Sequence, residues 1–288
     1  MTNNAEQPAF VYKPIPLTKR LHAKAYEAIQ PSQPNLSQSG RTILVTAGSA
    51  GIGYSIAKSF GLAKADRVII TGRTQEKVDE ALHNLQKEVD ISITRFEGMI
   101  CEMSDSDTID VMFDKLNADD VHVDVLVLNH ALNIAGKISD QGWEKTWDQF
   151  IPQSPKKHYV VNISSAAIHM PDSPIDLYSY SLTKAAGTLL LQKLAEERNP
   201  ADTQIISFHP GAVCTDQVRE KGLTETSMNW DDVNLPGAFA VWCASEEATF
   251  LHGRFVWTAW DVDELKSGPV RETLDSDGNF LRIGVHGL

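Results

Sequence analysis

The chain has 288 residues, 42% of them hydrophobic and 22% charged, which is long enough for a sizeable buried core and ordinary for a soluble globular protein. A formal net charge of −12 argues against nucleic acid or an anionic membrane as the main partner, while leaving room for a local basic pocket. Cys101, Cys214 and Cys243 are odd in number, far apart and without metal-ligand spacing, so buried thiols in a reducing compartment and no bound metal are expected. No early stretch combines basic residues with an apolar core and a cleavage site, and no apolar run is long enough to span a bilayer, so the cytoplasm is the expected location.

Residues 1–40 carry Pro8, Pro14, Pro16, Pro31 and Pro34 and little periodicity. They read as an extended arm, with one helical turn near residues 21–29, packed on a domain formed by residues 41–288. An apolar β-branched run at residues 42–46 stops at Ala47-Gly48-Ser49-Ala50-Gly51-Ile52-Gly53, and a helical pattern through Ile56, Ala57 and Phe60 follows at once. Further strands are expected at residues 67–71, 91–97, 123–129, 158–165, 204–209 and 253–259. Helices are expected at 75–89, 105–116 and 178–198 and after Pro236. Strands alternating with helices imply right-handed crossovers and a doubly wound, mostly parallel seven-stranded sheet covered by helices on both faces. Ligands of such sheets bind at the carboxyl ends of the strands.

Four stretches fall at those ends. In the first turn, glycine lets a ligand approach the backbone closely, and the opening N–H groups of the helix lie at the positive end of its dipole, which suits a pyrophosphate. The competing reading is an ordinary strand-to-helix turn. Tyr180 and Lys184 are one helical turn apart on one face, where an ammonium would favour the phenolate and draw its pKa down towards the range of an acid–base catalyst. A surface pair that happens to be four apart is the alternative. Tyr178 is the rival tyrosine, but Leu182 occupies the place of its lysine. Ser164-Ser165 ends the fifth strand and either faces the crevice or merely caps the strand. Pro210-Gly211 forces a turn after the sixth strand, leaving the Val213 backbone and the Thr215 hydroxyl towards the same crevice.

Taken together, Gly48…Gly51-Ile52-Gly53, Asn129-His130-Ala131, Asn162-Ile163-Ser164-Ser165, Tyr180-x-x-x-Lys184 and Pro210-Gly211-Ala212-Val213-Cys214-Thr215 occur in an order that resembles the short-chain dehydrogenase/reductase family, over about residues 40–260. The arm (Thr18-Lys19, His22, Tyr26, Ile29, Pro31, Pro34, Leu36) and the late Phe239–Trp242 and Leu251–Trp257 stretches look like a fungal branch of it, many of whose members serve secondary-metabolite pathways. The resemblance implies a Rossmann-type α/β fold and an NADP(H)-dependent oxidoreductase that interconverts a carbonyl and a secondary alcohol. In that reading Tyr180 exchanges a proton with the substrate oxygen. Lys184 holds the cofactor ribose and depresses the Tyr180 pKa, and Ser165 orients the carbonyl. The Gly48, Ser49, Gly51, Ile52 and Gly53 turn takes the pyrophosphate, and Val213 and Thr215 take the carboxamide. Asn129 touches the ribose or the adjoining strand, and Glu102 stands where the family usually has an aspartate against the adenine. Arg73, with no acid at the tip of strand two, favours NADP(H) over NAD(H) by pairing with a 2′-phosphate.

The sequence also departs from the family. Ala47 replaces the first glycine of the turn, and Leu132 adds bulk where the backbone should approach the cofactor. Between strands four and five only residues 143–150 look helical before Pro152 and Pro155, a rise of ~12 Å, so the crossover is shortened and no asparagine fills the family's fourth catalytic place. Low stability and a weakened homo-oligomer are therefore expected, the remaining apolar surface coming from Leu189, Leu190, Leu191, Leu194 and Ala195. Two other activities stay open on this evidence: a non-redox isomerase, dehydratase or cyclase using Tyr180 as an acid, and a catalytically impaired cofactor-binding relative. The substrate is expected to be a small molecule, with the partly apolar residues 215–230 over its pocket.

Overall fold

The computed structural model describes residues 11–130, 156–170 and 178–284. The strands are β1 (Thr42–Val45), β2 (Arg67–Gly72), β3 (Arg95–Ile100), β4 (Val125–Leu128), β5 (His158–Ile163), β6 (Thr203–His209) and β7 (Phe255–Trp257). They pair in parallel in the order β3-β2-β1-β4-β5-β6-β7. Central strands are buried on both faces, and β5 and β6 are buried along their whole length, apolar at the middle with polar residues towards their ends. Helices α1 (Gly51–Leu62), α2 (Gln75–Glu88), α3 (Ser106–Ala118), α4 (Tyr178–Glu196), α5 (Asp216–Glu220), α6 (Asn234–Cys243), α7 (Val262–Lys266) and α8 (Gly268–Ser276) complete the described elements.

Alternation along the strands sorts side chains to two cores. Ile43, Val45, Val125 and Val127 join α1, α6 and the arm in one cluster. Leu44, Ile69, Leu126, Val160 and Ile205 meet Ile109, Met112, Phe113 and Leu116 of α3 and Leu191 and Ala195 of α4 in the other. The chain leaves β1 towards β2 but enters β4 on the opposite side of β1, so the order reverses between β1 and β4. That reversal opens a crevice at the carboxyl edge. The fold is the doubly wound Rossmann type read from the sequence.

Two elements differ from that reading. The third strand lies at Arg95–Ile100, not 91–97, because Asp90 closes a turn: its Oδ1 accepts from the Ser92 N–H (2.9 Å) and hydroxyl (2.7 Å). The alternating Ile91 and Ile93 are consequently 64% and 46% exposed. The helix expected after Pro236 begins before it, at Asn234, since a first-turn N–H has no intrahelical acceptor for proline to forfeit. The apolar surface assigned to α4 is also smaller than expected. Leu191 and Ala195, each 4% exposed, pack on their own sheet, while Leu189 remains 41% exposed. The shortened crossover, with Leu132, lies outside the described residues.

The arm contains two single turns, Glu27–Ile29 and Pro34–Leu36, whose Ile29 and Leu36 are fully buried. Leu21 bridges Trp260, the His22 N–H donates to Ala259 O (2.8 Å), and the Trp260 indole donates to Ile15 O (2.8 Å). Buried Asp261 accepts from Arg20 and from His22, each at 2.8 Å.

Helices α1 and α6 approach at Gly237, where an added Cβ would lie 2.5 Å from Ser59 Oγ and 2.7 Å from the Ser55 carbonyl oxygen. Gly237→Ala would gain about 1 kcal/mol of helix propensity but incur about 1–3 kcal/mol of overpacking. Because the backbone oxygen cannot rotate aside, the steric effect wins. Thermal melts should show Tm lowered by a few degrees, and an unchanged or higher Tm would contradict this account of the contact.

Candidate active site

The carboxyl edge brings together the four stretches singled out above. In the β1–α1 turn Ala47 takes a left-handed φ of 50°. Glycine would occupy that region freely, so alanine here carries strain of about 1 kcal/mol. The turn is held from β2, since the Ala47 N–H donates to Thr71 Oγ1 (3.0 Å) and the Gly48 N–H to Thr71 O (2.9 Å). A Cβ on Gly48 would meet Ile70 Cγ2 at 2.8 Å, and one on Gly53 would meet Ala47 O at 2.4 Å. Helix α1 then starts at Gly51 with no side-chain cap from Ala50, so Gly51, Ile52 and Gly53 present first-turn N–H groups at the positive end of the dipole. Ser49 lies against Gly72, and Arg73 stands exposed at the tip of β2.

Asn129 fastens this turn to β4. Its Nδ2 donates to Thr46 O (3.0 Å) and Ala47 O (3.2 Å), while Thr46 Oγ1 accepts from the Asn129 N–H (2.9 Å). Of the two places open to Asn129, the side chain is on the adjoining strand. Glu102 follows β3, where its Oε1 accepts from the Ser104 hydroxyl (2.8 Å).

Ser165, Tyr180 and Lys184 do converge. Ser165 lies close enough to the Tyr180 phenol to favour its ionised form, and its hydroxyl accepts from the Ala167 N–H at 3.2 Å. Lys184 Nζ donates to Ile163 O (2.6 Å) and His130 O (3.3 Å), bridging the ends of β5 and β4. Burial draws the Lys184 ammonium down to about 8. The expected depression of Tyr180 is reversed. Burial raises its pKa, Ser165 opposes that rise, and the ammonium is engaged by backbone carbonyls.

Helix α4 is set on the sheet by a polar cluster whose Thr188 and Ser207 the motif reading did not include. Thr188 donates to Lys184 O (2.7 Å) and therefore accepts from Ser164 Oγ (2.6 Å). Asn162 Nδ2 donates to Ser207 Oγ at 3.0 Å. Thr188 continues the i, i+4, i+8 face of Tyr180 and Lys184, and that spacing was the available signal.

After β6, Gly211 takes φ 89° because a carboxylate lies against it; a Cβ there would stand 2.4 Å from Asp231 Oδ2. The following loop carries Val213 and Thr215, with the Thr215 N–H donating to Val213 O (2.9 Å). A Cβ on Gly51 would be 3.3 Å from Thr215 Cγ2, so this loop meets the glycine turn across the crevice. Asp231 carries no sequence motif and was missed.

A family model described as short chain dehydrogenase matches residues 41–154. A short chain dehydrogenase/reductase of Aspergillus novofumigatus is 32% identical over 96% of this chain and 98% of its own. One of Aspergillus aculeatus is 33% identical over 93% and 96% respectively. Among solved structures, the Pseudomonas aeruginosa RhlG/NADP complex superposes with TM-score 0.64 at 21% identity, covering 78% of this chain and 97% of that one. L-sorbose reductase from Gluconobacter frateurii with NADPH and L-sorbose gives 0.62 at 17% identity, covering 77% and 96%. A 3-oxoacyl-[acyl-carrier protein] reductase with bound NAD from Brucella melitensis gives 0.62 at 21%, covering 83% and 98%. At such identities the structural likenesses establish the fold. No helix of the described residues is long and apolar enough to cross a membrane.

Thr188→Val should leave Ser164 Oγ buried without its partner, at a cost of about 1–3 kcal/mol. Urea unfolding should show a lower midpoint with unchanged slope. Equal midpoints would mean that the cluster does not hold α4.

Proposed function

The chain belongs to the short-chain dehydrogenase/reductase family, and from that premise we propose that it interconverts a carbonyl and a secondary alcohol with NADP(H). The observation that carries the reading is the placing of Tyr180 against Ser165 at the carboxyl end of β5, where Lys184 Nζ donates to Ile163 O. A phenol whose pKa is raised keeps its proton, the form needed to donate to a carbonyl oxygen during reduction. Ser165 would orient that carbonyl, and Lys184 would turn its ammonium to the ribose hydroxyls. The nicotinamide, when bound, supplies or accepts the hydride.

The residues present fit such a cofactor. A Cβ at Gly48 would collide with Ile70 and one at Gly53 with the Ala47 carbonyl, so only glycine lets the turn sit this tightly, and the uncapped start of α1 suits a pyrophosphate held by Gly48, Ser49, Gly51, Ile52 and Gly53. Val213 and Thr215 would take the carboxamide, Glu102 the adenine side, and Asn129 would hold the turn. Arg73 is exposed at the tip of β2 without an ion-pair partner among the described residues, which suits a 2′-phosphate over the two free hydroxyls of NAD(H). The free thiols Cys101, Cys214 and Cys243 support a cytoplasmic setting, and exposed Leu182 and Leu189 on α4 support limited self-association.

Tyr180→Phe should lower turnover by about 10²–10⁴-fold and leave the NADPH Kd nearly unchanged, since only the transferable proton is lost. Undiminished turnover would show that another group is the acid. In fluorescence titrations Arg73→Ala should weaken NADPH about five- to tenfold and leave NADH as it was. Equal wild-type affinities for the two cofactors would rule out the assigned preference.

A further inference from the structure

The loop that carries Val213 and Thr215 is held at Ala212 by a side chain outside every motif. The Ala212 N–H donates to Asp231 Oδ2 (2.8 Å), and the Asp231 N–H donates back to Ala212 O (2.6 Å). Asp231 is 8% exposed. Its carboxylate occupies the space that any side chain at position 211 would need, so Gly211 and Asp231 fit only as a pair. The segment bearing Asp231 is itself fixed from the arm. The Tyr12 N–H donates to Asn229 Oδ1 (2.7 Å), Asn229 Nδ2 donates to Tyr12 O (2.8 Å), and the Asp232 N–H donates to Ala23 O (2.8 Å). A buried carboxylate with one anchored backbone partner is expensive to keep unless its position matters.

We propose that Asp231 is a positioning residue for cofactor binding, its carboxylate fixing Ala212 and through it the Val213–Thr215 loop. The inference rests on the NADP(H) reading above. Geometry makes the clamp sensitive to the charge on Asp231, because a charge-assisted hydrogen bond is stronger than a neutral one. Burial pushes the Asp231 carboxyl up to about 6, the Ala212 N–H opposing that rise in part. Tyr12 faces it from the arm as a neutral phenol, held well above its ordinary value by burial and by Asp231 itself. Beyond Tyr12, at the end of β6, His209 accepts or donates at 2.8 Å and is kept neutral by burial, which draws it down to about 3. The carboxyl therefore ionises as pH rises through about 6, and the clamp tightens over that interval.

The test compares wild type, Asp231→Asn and Asp231→Ala by NADPH fluorescence titration from pH 5 to 8, and by hydrogen exchange of the peptide containing Ala212 without cofactor. Taking the ratio of Kd values at each pH cancels titration of the 2′-phosphate. Asp231→Asn should bind NADPH about fivefold more weakly than wild type at pH 7.5, with the ratio approaching one near pH 5. Asp231→Ala should be weaker at every pH, and its Ala212 amide should exchange faster than that of wild type. A ratio that does not change with pH, or unchanged Ala212 exchange in both variants, overturns the inference while leaving the cofactor reading intact. A wild type that binds neither NADPH nor NADH overturns the cofactor reading and this inference with it. If Asp231→Ala does not fold, the isosteric Asp231→Asn carries both measurements.

Discussion

At the carboxyl ends of β1 and β4 their parallel ladder stops, and backbone groups that a continuing ladder would pair must find other partners. Unpaired backbone in a buried position costs about 1–3 kcal/mol per group, so the crevice exists only because something satisfies its rim. Thr46 and Asn129 do so. The Thr46 hydroxyl donates to Val127 O and accepts from the Asn129 and His130 N–H groups, while the Asn129 amide covers the Thr46 and Ala47 carbonyls. The strained Ala47 is tolerated because Thr71 and Asn129 grip it from both neighbours. The close packing of the turn follows from that grip, since Gly53 is pressed against the Ala47 carbonyl and Gly48 against Ile70 of β2.

The other wall of the crevice obeys the same rule with side chains. Lys184 answers the Ile163 and His130 carbonyls at the ends of β5 and β4, and Thr188 ties the Lys184 carbonyl to Ser164. These bonds fix α4 in both rotation and height, and so place the Tyr180 phenol at Ser165. Lys184 Nζ is turned to two backbone carbonyls, and burial is the largest influence on the Tyr180 pKa. Spacing alone suggested the opposite sign because it brings two side chains to one face without stating which other acceptors compete for the cation.

Legibility followed the range of the interactions. The glycine turn, the strand-by-strand alternation and the Tyr180–Lys184 face depend on neighbours within a few residues, and the structure brings them to one edge. The third strand was misplaced because Ile91 and Ile93 imitate a buried alternation, whereas Asp90 bends the chain first. Thr188 could have been read from its helical period. Asp231 could not, because its partner Ala212 lies 19 residues away in an irregular loop, and neither residue type signals the contact. A carboxylate that holds backbone leaves its mark on the glycine it crowds, and Gly211 was readable only as a turn.

The arm extends the same logic to the periphery. Ile29 and Leu36 fill a core shared with Phe239, Trp242 and Val262, while Arg20 and His22 hydrogen-bond to Asp261, which caps α7 through the Glu264 N–H. Tyr12, farther back in the arm, stacks on Trp257 and meets His209, the last residue of β6. Residues 11–38 thus touch the far side of the α1–α6 layer and also the carboxyl edge of the sheet. The arm holds the Asp231 segment on both sides, through the Tyr12–Asn229 pair and through the Asp232 N–H on Ala23 O. The arm is continuous with the crevice through hydrogen-bonded backbone, which gives a physical reason for its Thr18, His22 and Tyr26 pattern: Thr18 accepts from the Asp261 N–H, and the Tyr26 hydroxyl bridges Val262 N–H and Trp260 O.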